Sequence, residues 1–199
     1  MPRFWFILLF QKITSYRFSN KKFYVCLKKL ENSTVWRYNE NMVIHNIEPL
    51  FDKNSKTLIL GSFPSVKSRE AGFFYAHPQN RFWKVIAGVF GEDVPLTVAD
   101  KKALILNNGL ALYDSVYSCE INGSSDSSMK NVVPSDLTPI IQNSKITKVF
   151  VNGRTAEKYY VKYSLNDTGI NGVVLPSTSP ANAAWSLERL IDEWSIIKL

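Results

Sequence analysis

Residues 57–83 read TLILGSFPSVKSREAGFFYAHPQNRFW, and the reading of this stretch decides the fold. Leu58, Ile59 and Leu60 form a short apolar run that stops at Gly61-Ser62 and then meets Pro64. A run bounded by Gly and Pro reads as a fully buried parallel strand, although periodicity alone leaves a buried helix segment open. A polar and aromatic loop of about twenty residues follows, and loops of that length usually bind or react. The loop ends at Asn80. Phe82, Trp83, Ile86, Ala87 and Phe90 then recur at helical spacing. Strand, long loop and helix in an open α/β sheet place a ligand at the carboxyl end of the strand.

Working outward, Gly91 and Pro95 break that helix, and a second helix is predicted from about Thr97 to Asn107. Gly109 to Asp114 reads as a second strand that ends in a carboxylate. Cys119 to Pro134 is too polar for core and reads as a solvated connection. Ser135-Asp136 then begins a helix through Leu137, Ile140 and Ile141. Thr147 to Val151 is a third buried strand ending at Asn152-Gly153, and Thr155 to Tyr163 is helical. Gly172 to Pro176 is the fourth strand. Leu187, Leu190, Ile191 and Trp194 form the apolar stripe of a last helix. Strands alternating with helices imply an α/β protein: a three-layer α/β/α sandwich with a central, mostly parallel four-stranded sheet.

The 199 residues are 45% hydrophobic, enough for one domain with a full core. The formal charge of +7 looks like a nucleic-acid signal until it is divided. Residues 1–41 hold eight Lys/Arg and two Glu, so they carry nearly all of the excess. They are a basic N-terminal extension, and residues 42–199 are the working domain, with Met42 read as its functional beginning. The apolar run Phe4 to Phe10 is far short of the ~20 residues of a membrane span. Three readings of the extension stay open: an arm on DNA phosphates, a membrane-surface segment, or upstream sequence outside the working protein. Cys26 and Cys119 are the only cysteines, and His45 and His77 the only histidines. Neither a metal centre nor a disulfide framework is expected from them, which fits a reducing cytoplasm.

Every predicted strand stops at polar residues: Gly61-Ser62, Asp114, Asn152, and Ser177-Thr178-Ser179. In a parallel sheet these ends converge on one edge. The common glycine-rich nucleotide loops and the Gly-x-Ser-x-Gly elbow are all missing from the chain. What remains is a cleft of amides, hydroxyls and aromatics, suited to holding a heteroaromatic ring.

GSFPS, then FFYAHPQNRFW, then FVNG, then LPSTSPAN, in that order, resemble the hypoxanthine-DNA (deoxyinosine) glycosylase branch of the uracil-DNA glycosylase superfamily. The resemblance spans roughly Val43 to Trp194. It implies an enzyme that hydrolyses the N-glycosidic bond of a deaminated base in DNA, with no cofactor and no metal. Such an enzyme flips the base out of the stack and reads its Watson–Crick edge. Asn80 then stands where this branch carries its catalytic asparagine, holding a water against C1′ of the sugar. The same residue also suits a helix cap. Asn152 matches the base-reading asparagine, answering the adjacent acceptor and donor of hypoxanthine; alone, Asn-Gly is also a common turn.

The same resemblance brings the Gly61 and Ser62 backbone N–H groups near the flipped nucleotide. Phe74 or Tyr75 would stack on the base or wall the pocket, although FFY also reads as core. His77 is a leaving-group or phosphate contact, or a packed loop histidine. Ser177, Thr178, Ser179 and Pro180 resemble the loop that grips the DNA backbone and presses into the groove; Ser179-Pro180 also reads as a helix start. Asp114, at the end of the second strand, has two readings, catalytic by location or a buried loop cap, and the cap is preferred. Lys67, Arg69 and Arg81 would add positive potential at the cleft. No lysine lies in the matching strings to form a Schiff base, so the enzyme is expected to be monofunctional. A monomer is expected because the enzyme must wrap one duplex site. Two other readings stand beside this one: the same fold acting on uracil or mismatched thymine, and a non-catalytic binder of damaged DNA or nucleotides.

Overall fold

The computed structural model describes residues 16–18, 21–23, 26–30, 33–37 and 41–198. The chain divides into two compact units, Met1–Met42 and Val43–Leu199. In the first, β1 (Tyr16–Phe18) pairs antiparallel with β2 (Lys21–Phe23), and β3 (Cys26–Leu30) with β4 (Ser33–Arg37). The apolar run Phe4 to Phe10 lies outside the described residues.

The remaining strands form two sheets. β5 (Met42–Ile44), β8 (Val116–Glu120) and β9 (Lys130–Pro134) make the smaller one. β6 (Thr57–Gly61), β7 (Leu110–Asp114), β10 (Lys148–Asn152) and β11 (Gly172–Leu175) make the central sheet, in the order β11-β10-β6-β7 and parallel throughout. All five residues of β6 and of β7 are buried, as near-continuous apolar runs must be when helices cover both faces. From β6 the chain steps first to β7 on one side, then to β10 and β11 on the other. The carboxyl ends of β6 and β10 therefore flank the switch in strand order, where open α/β sheets bind their ligands.

Helices α1 (Val66–Ala71), α2 (Phe82–Phe90), α3 (Val98–Asn107), α4 (Thr138–Gln142), α5 (Arg154–Tyr163), α6 (Leu165–Thr168) and α7 (Leu187–Trp194) complete the unit. Thr97 and Asp100 form a reciprocal capping box that fixes the start of α3. α2 and α7 cross closely at Gly88: a β-carbon there would stand 2.5 Å from Ile191 Cδ1. Trp194, fully buried, meets Phe82 edge to face and donates its indole N–H to Pro176 O at 3.0 Å.

Three expectations are corrected. The stretch from Cys119 to Pro134 takes in the end of β8, the turn after it and all of β9, which pairs antiparallel with β8; the turn and the first two residues of β9 are solvated. Cys119 and Met129 pack with Phe63, Val116 and Tyr159 in a second small core. Register shifts break the period-two pattern of this pair, which hid it from the sequence. The helix begun at Ser135 is shorter and starts at Thr138, because Asp136 Oδ1 accepts the Thr138 N–H and Pro139 sits in the first turn. Ser179-Pro180 starts no helix; α7 begins after Ser186, whose hydroxyl accepts from Arg189 N at 3.2 Å.

Candidate active site

Register puts three of the predicted positions on one rung of the sheet. Gly61 pairs with Asp114, and Val151 pairs with Leu60, so the next step aligns Asn152 with Gly61. Asn152 and Asp114 thus stand on either side of a residue without a side chain. They line a cleft of about 1060 Å³ together with Ser62, His77 and Ser177.

A single hydroxyl ties the two asparagines together. Thr178, fully buried, donates to Asn80 Oδ1 at 3.0 Å and accepts from Asn152 Nδ2 at 3.0 Å. Two backbone donors fix how both amides face. Phe82 N–H donates to Asn80 Oδ1 and Thr178 N–H to Asn152 Oδ1, each at 3.0 Å. An N–H cannot point at an amide nitrogen, so neither side chain can flip. Asn80 has both acceptor sites of Oδ1 filled and presents its Nδ2 to the cleft. Asn152 keeps one acceptor site on Oδ1 and one N–H on Nδ2, side by side. That pair answers an adjacent donor and acceptor on a lactam edge.

Asn80 is not the cap residue of α2, which is Arg81 without a side-chain cap bond; Asn80 Oδ1 closes the turn into the helix by accepting from Phe82 N–H, and the residue lines the cleft. The structure separates the other residues. Thr178 was grouped with Ser177, Ser179 and Pro180 as a DNA-backbone contact, but burial removes it from any phosphate and makes it the link between two amides. Ser177 and Ser179 stay half-buried, their hydroxyls accepting from the backbone N–H two residues on, and Pro180 is exposed. Gly153, at φ 93°, lets Ser177 approach to where a β-carbon would stand 2.9 Å away. Phe74 is buried in the main core, and Tyr75 stacks one face on Phe82 at 3.8 Å. His77 Nδ1 accepts from Gln79 N–H at 3.2 Å within the cleft wall.

The expected cationic trio is used differently. The Arg81 guanidinium donates to the backbone carbonyls of Thr178, Ser179, Asn182 and Trp185, clamping the loop that carries Thr178. Arg69 donates to Pro64 O at 2.6 Å and to Gly123 O at 3.3 Å. Lys67 pairs with Glu70 on the surface at 2.9 Å. Two of the three charges hold loops in shape.

The other flank is acidic. Asp114 sits over Gly61 with its Oδ2 buried and without a hydrogen-bond partner among the described residues, which rules out a loop cap through that atom. Burial first, and then the charge of Asp126, push its carboxyl up to about 7. Asp126, from the turn between β8 and β9, accepts from Ser62 Oγ at 2.8 Å, and burial raises its carboxyl too. Desolvation thus keeps both acids closer to neutral than surface carboxylates, which lessens their repulsion of a phosphate backbone. Sequence reasoning missed Asp126: the Ser62 contact spans 64 residues, and the flanking serines read as solvated loop.

The family model described as the uracil DNA glycosylase superfamily matches residues 48–197. The chain belongs to this superfamily. The match takes in every cleft residue named above. Among curated proteins, the chain is 30% identical over 158 residues to a hypoxanthine DNA glycosylase of Methanosarcina acetivorans, covering 78% of this chain and 98% of that one. It is 28% identical over 141 residues to a hypoxanthine DNA glycosylase of Methanosarcina barkeri, covering 67% and 85%. Its fold resembles the solution structure of a Methanosarcina acetivorans protein assigned to the uracil DNA glycosylases. That comparison has a TM-score of 0.68 at 28% identity and covers 79% of this chain and 96% of the other.

Proposed function

We propose that this member of the superfamily hydrolyses the N-glycosidic bond of hypoxanthine in DNA, leaving an abasic site. The observation that supports the reading is the Asn80–Thr178–Asn152 relay, which holds two amides of the cleft in fixed orientation. The free acceptor and N–H of Asn152 match N1–H and O6 of hypoxanthine flipped from the duplex. Asn80 Nδ2 holds a water by its oxygen against C1′, and positioning supplies much of the rate as the sugar becomes oxocarbenium-like. Ser177, Ser179 and Pro180 meet the DNA backbone at the cleft rim, and one monomer serves one duplex site. Two relatives that carry the hypoxanthine name over most of their length support this substrate. Uracil offers the same adjacent acceptor and donor, so Asn152 alone admits it as the second reading.

The test is excision from matched labelled duplexes containing inosine, uracil or a G·T mismatch, followed by alkali to cut abasic sites. Inosine is expected to be cut fastest, and Asn80→Ala to lose about 10²–10³-fold in single-turnover rate. Uracil preferred over inosine would replace the substrate, and binding without cutting of any duplex would sink the enzyme reading.

A further inference from the structure

The Asp114 carboxyl in the cleft has no hydrogen bond among the described residues: its Oδ2 is buried without a partner. Its Oδ1 stands over the glycine between the strands, where a β-carbon on Gly61 would be 2.2 Å from it and 3.2 Å from the Tyr75 hydroxyl, which faces the Asn152 side chain. Buried polar groups are normally paired, so an unpaired carboxyl on a cleft floor calls for a ligand that completes it.

The rung gives the ligand its width. Asn152 and Asp114 sit two strands apart, about 10 Å by ordinary strand spacing, with no side chain between them. A purine fits such a slot with one edge on the amide and the other on the carboxyl. Its chemistry supplies the reason for an acid there. When the C1′–N9 bond breaks, the base leaves with the electron pair, and N7 of the imidazole ring can take a proton to discharge it. A pyrimidine has no such nitrogen.

Resting on the hypoxanthine reading above, we infer that Asp114 is the proton donor to the leaving base, its neutral carboxyl delivering the proton to N7. The C1′–N9 bond breaks with its electron pair going to the base, while the carboxyl proton forms the N7–H bond. The water oxygen bonds to C1′, and the proton it sheds returns through solvent to the Asp114 carboxylate. The Tyr75 hydroxyl donates to that carboxylate as it forms. Nothing is oxidised or reduced. The titratable groups around Asp114 are Asp126 from the β8–β9 turn, Tyr75 from the loop and Tyr113 beside it on β7. Burial and the Asp126 charge keep the carboxyl largely protonated up to about pH 7.

The experiment is the pH dependence of single-turnover excision from an inosine duplex, for wild type, Asp114→Asn and Asp126→Asn. Wild type is expected to slow above about pH 7, approaching tenfold per pH unit. Asp114→Asn keeps a hydrogen-bond donor but has no proton to give, so its profile is flat and at least about tenfold lower at pH 6. Asp126→Asn retains the alkaline limb, shifted to lower pH because a neighbouring negative charge is gone. Binding to a duplex with non-cleavable 2′-fluoro-deoxyinosine stays within about twofold in Asp114→Asn, since the amide still donates to N7. A wild-type rate that rises through pH 7 would make Asp114 a base and overturn the assignment. So would an alkaline limb that survives in Asp114→Asn, or lost binding by that variant. A wild type that cuts uracil but leaves inosine uncut brings down both readings, whereas inosine cutting with an unchanged limb in Asp114→Asn brings down only this one.

Discussion

On the two sides of Gly61 the protein treats buried polar groups in opposite ways. On the Asn152 side each amide is pinned by a backbone N–H, and Thr178 joins the two. On the Asp114 side a carboxylate oxygen is buried with no partner among the described residues. A satisfied network is rigid, because moving one member costs the hydrogen bonds of the others. The unsatisfied carboxyl costs stability in the free protein and gains it back only from what enters the cleft. The first side positions; the second waits.

Gly61→Ala attacks the boundary between them, with an expected effect second only to that of Asn80→Ala. The new methyl would meet Asp114 Oδ1 at 2.2 Å, far inside van der Waals contact, so the carboxylate must leave its place over the sheet. Overpacking of this kind costs about 1–3 kcal/mol. We expect excision to fall by about two orders of magnitude, as for loss of an oriented polar group. Urea denaturation beside single-turnover kinetics separates the two effects. A variant with wild-type kinetics would show that nothing needs the space above Gly61.

The next prediction sharpens the contrast through stability. Asp114 titrates at about 7 in the folded protein against an ordinary 3.8, so the native state binds this proton more tightly than the unfolded chain does. Its contribution is complete below about pH 4, declines as pH rises and is lost above 7. Asp114→Asn is neutral at every pH. Its stability relative to wild type is expected to improve by about 2–3 kcal/mol between pH 5 and pH 8. Denaturant melts at both pH values check this. An equal advantage at both would mean that the carboxylate is solvated after all.

How far each side was legible in the sequence follows from the range of its interactions. Leu58–Leu60, bounded by Gly61 and Pro64, announced a buried strand because strand, stop and breaker are neighbours in the chain. The same holds for Phe82–Phe90 and for the Thr97–Asn107 helix with its cap. Asn80 and Asn152 were reached by motif, and each has a local signal, a helix start and a strand end. Thr178 could only be grouped with its neighbours, since its partners lie 98 and 26 residues away. Arg81 read as a cation facing DNA because its carbonyl acceptors, about a hundred residues on, are groups every residue has. Asp114 looked like a cap because a strand-end carboxylate usually is one. Its missing partner is a fact of three dimensions alone.

Thr178→Val tests the satisfied side with the smallest expected effect. Valine keeps the shape and the backbone N–H to Asn152 but removes the hydroxyl that both amides use. Asn152 Nδ2 loses its acceptor, and Asn80 Oδ1 keeps only the Phe82 N–H. Leaving such groups short of a partner costs about 1–2 kcal/mol, and we expect excision to slow about tenfold as Asn80 loosens. Thr178→Ser restores the hydroxyl and should recover most of both. If valine and serine behave alike, the hydroxyl is not what couples the amides. The two asparagines would then be held by their backbone donors alone, and the rigidity assigned to this side would belong to the turn into α2 and the loop clamped by Arg81.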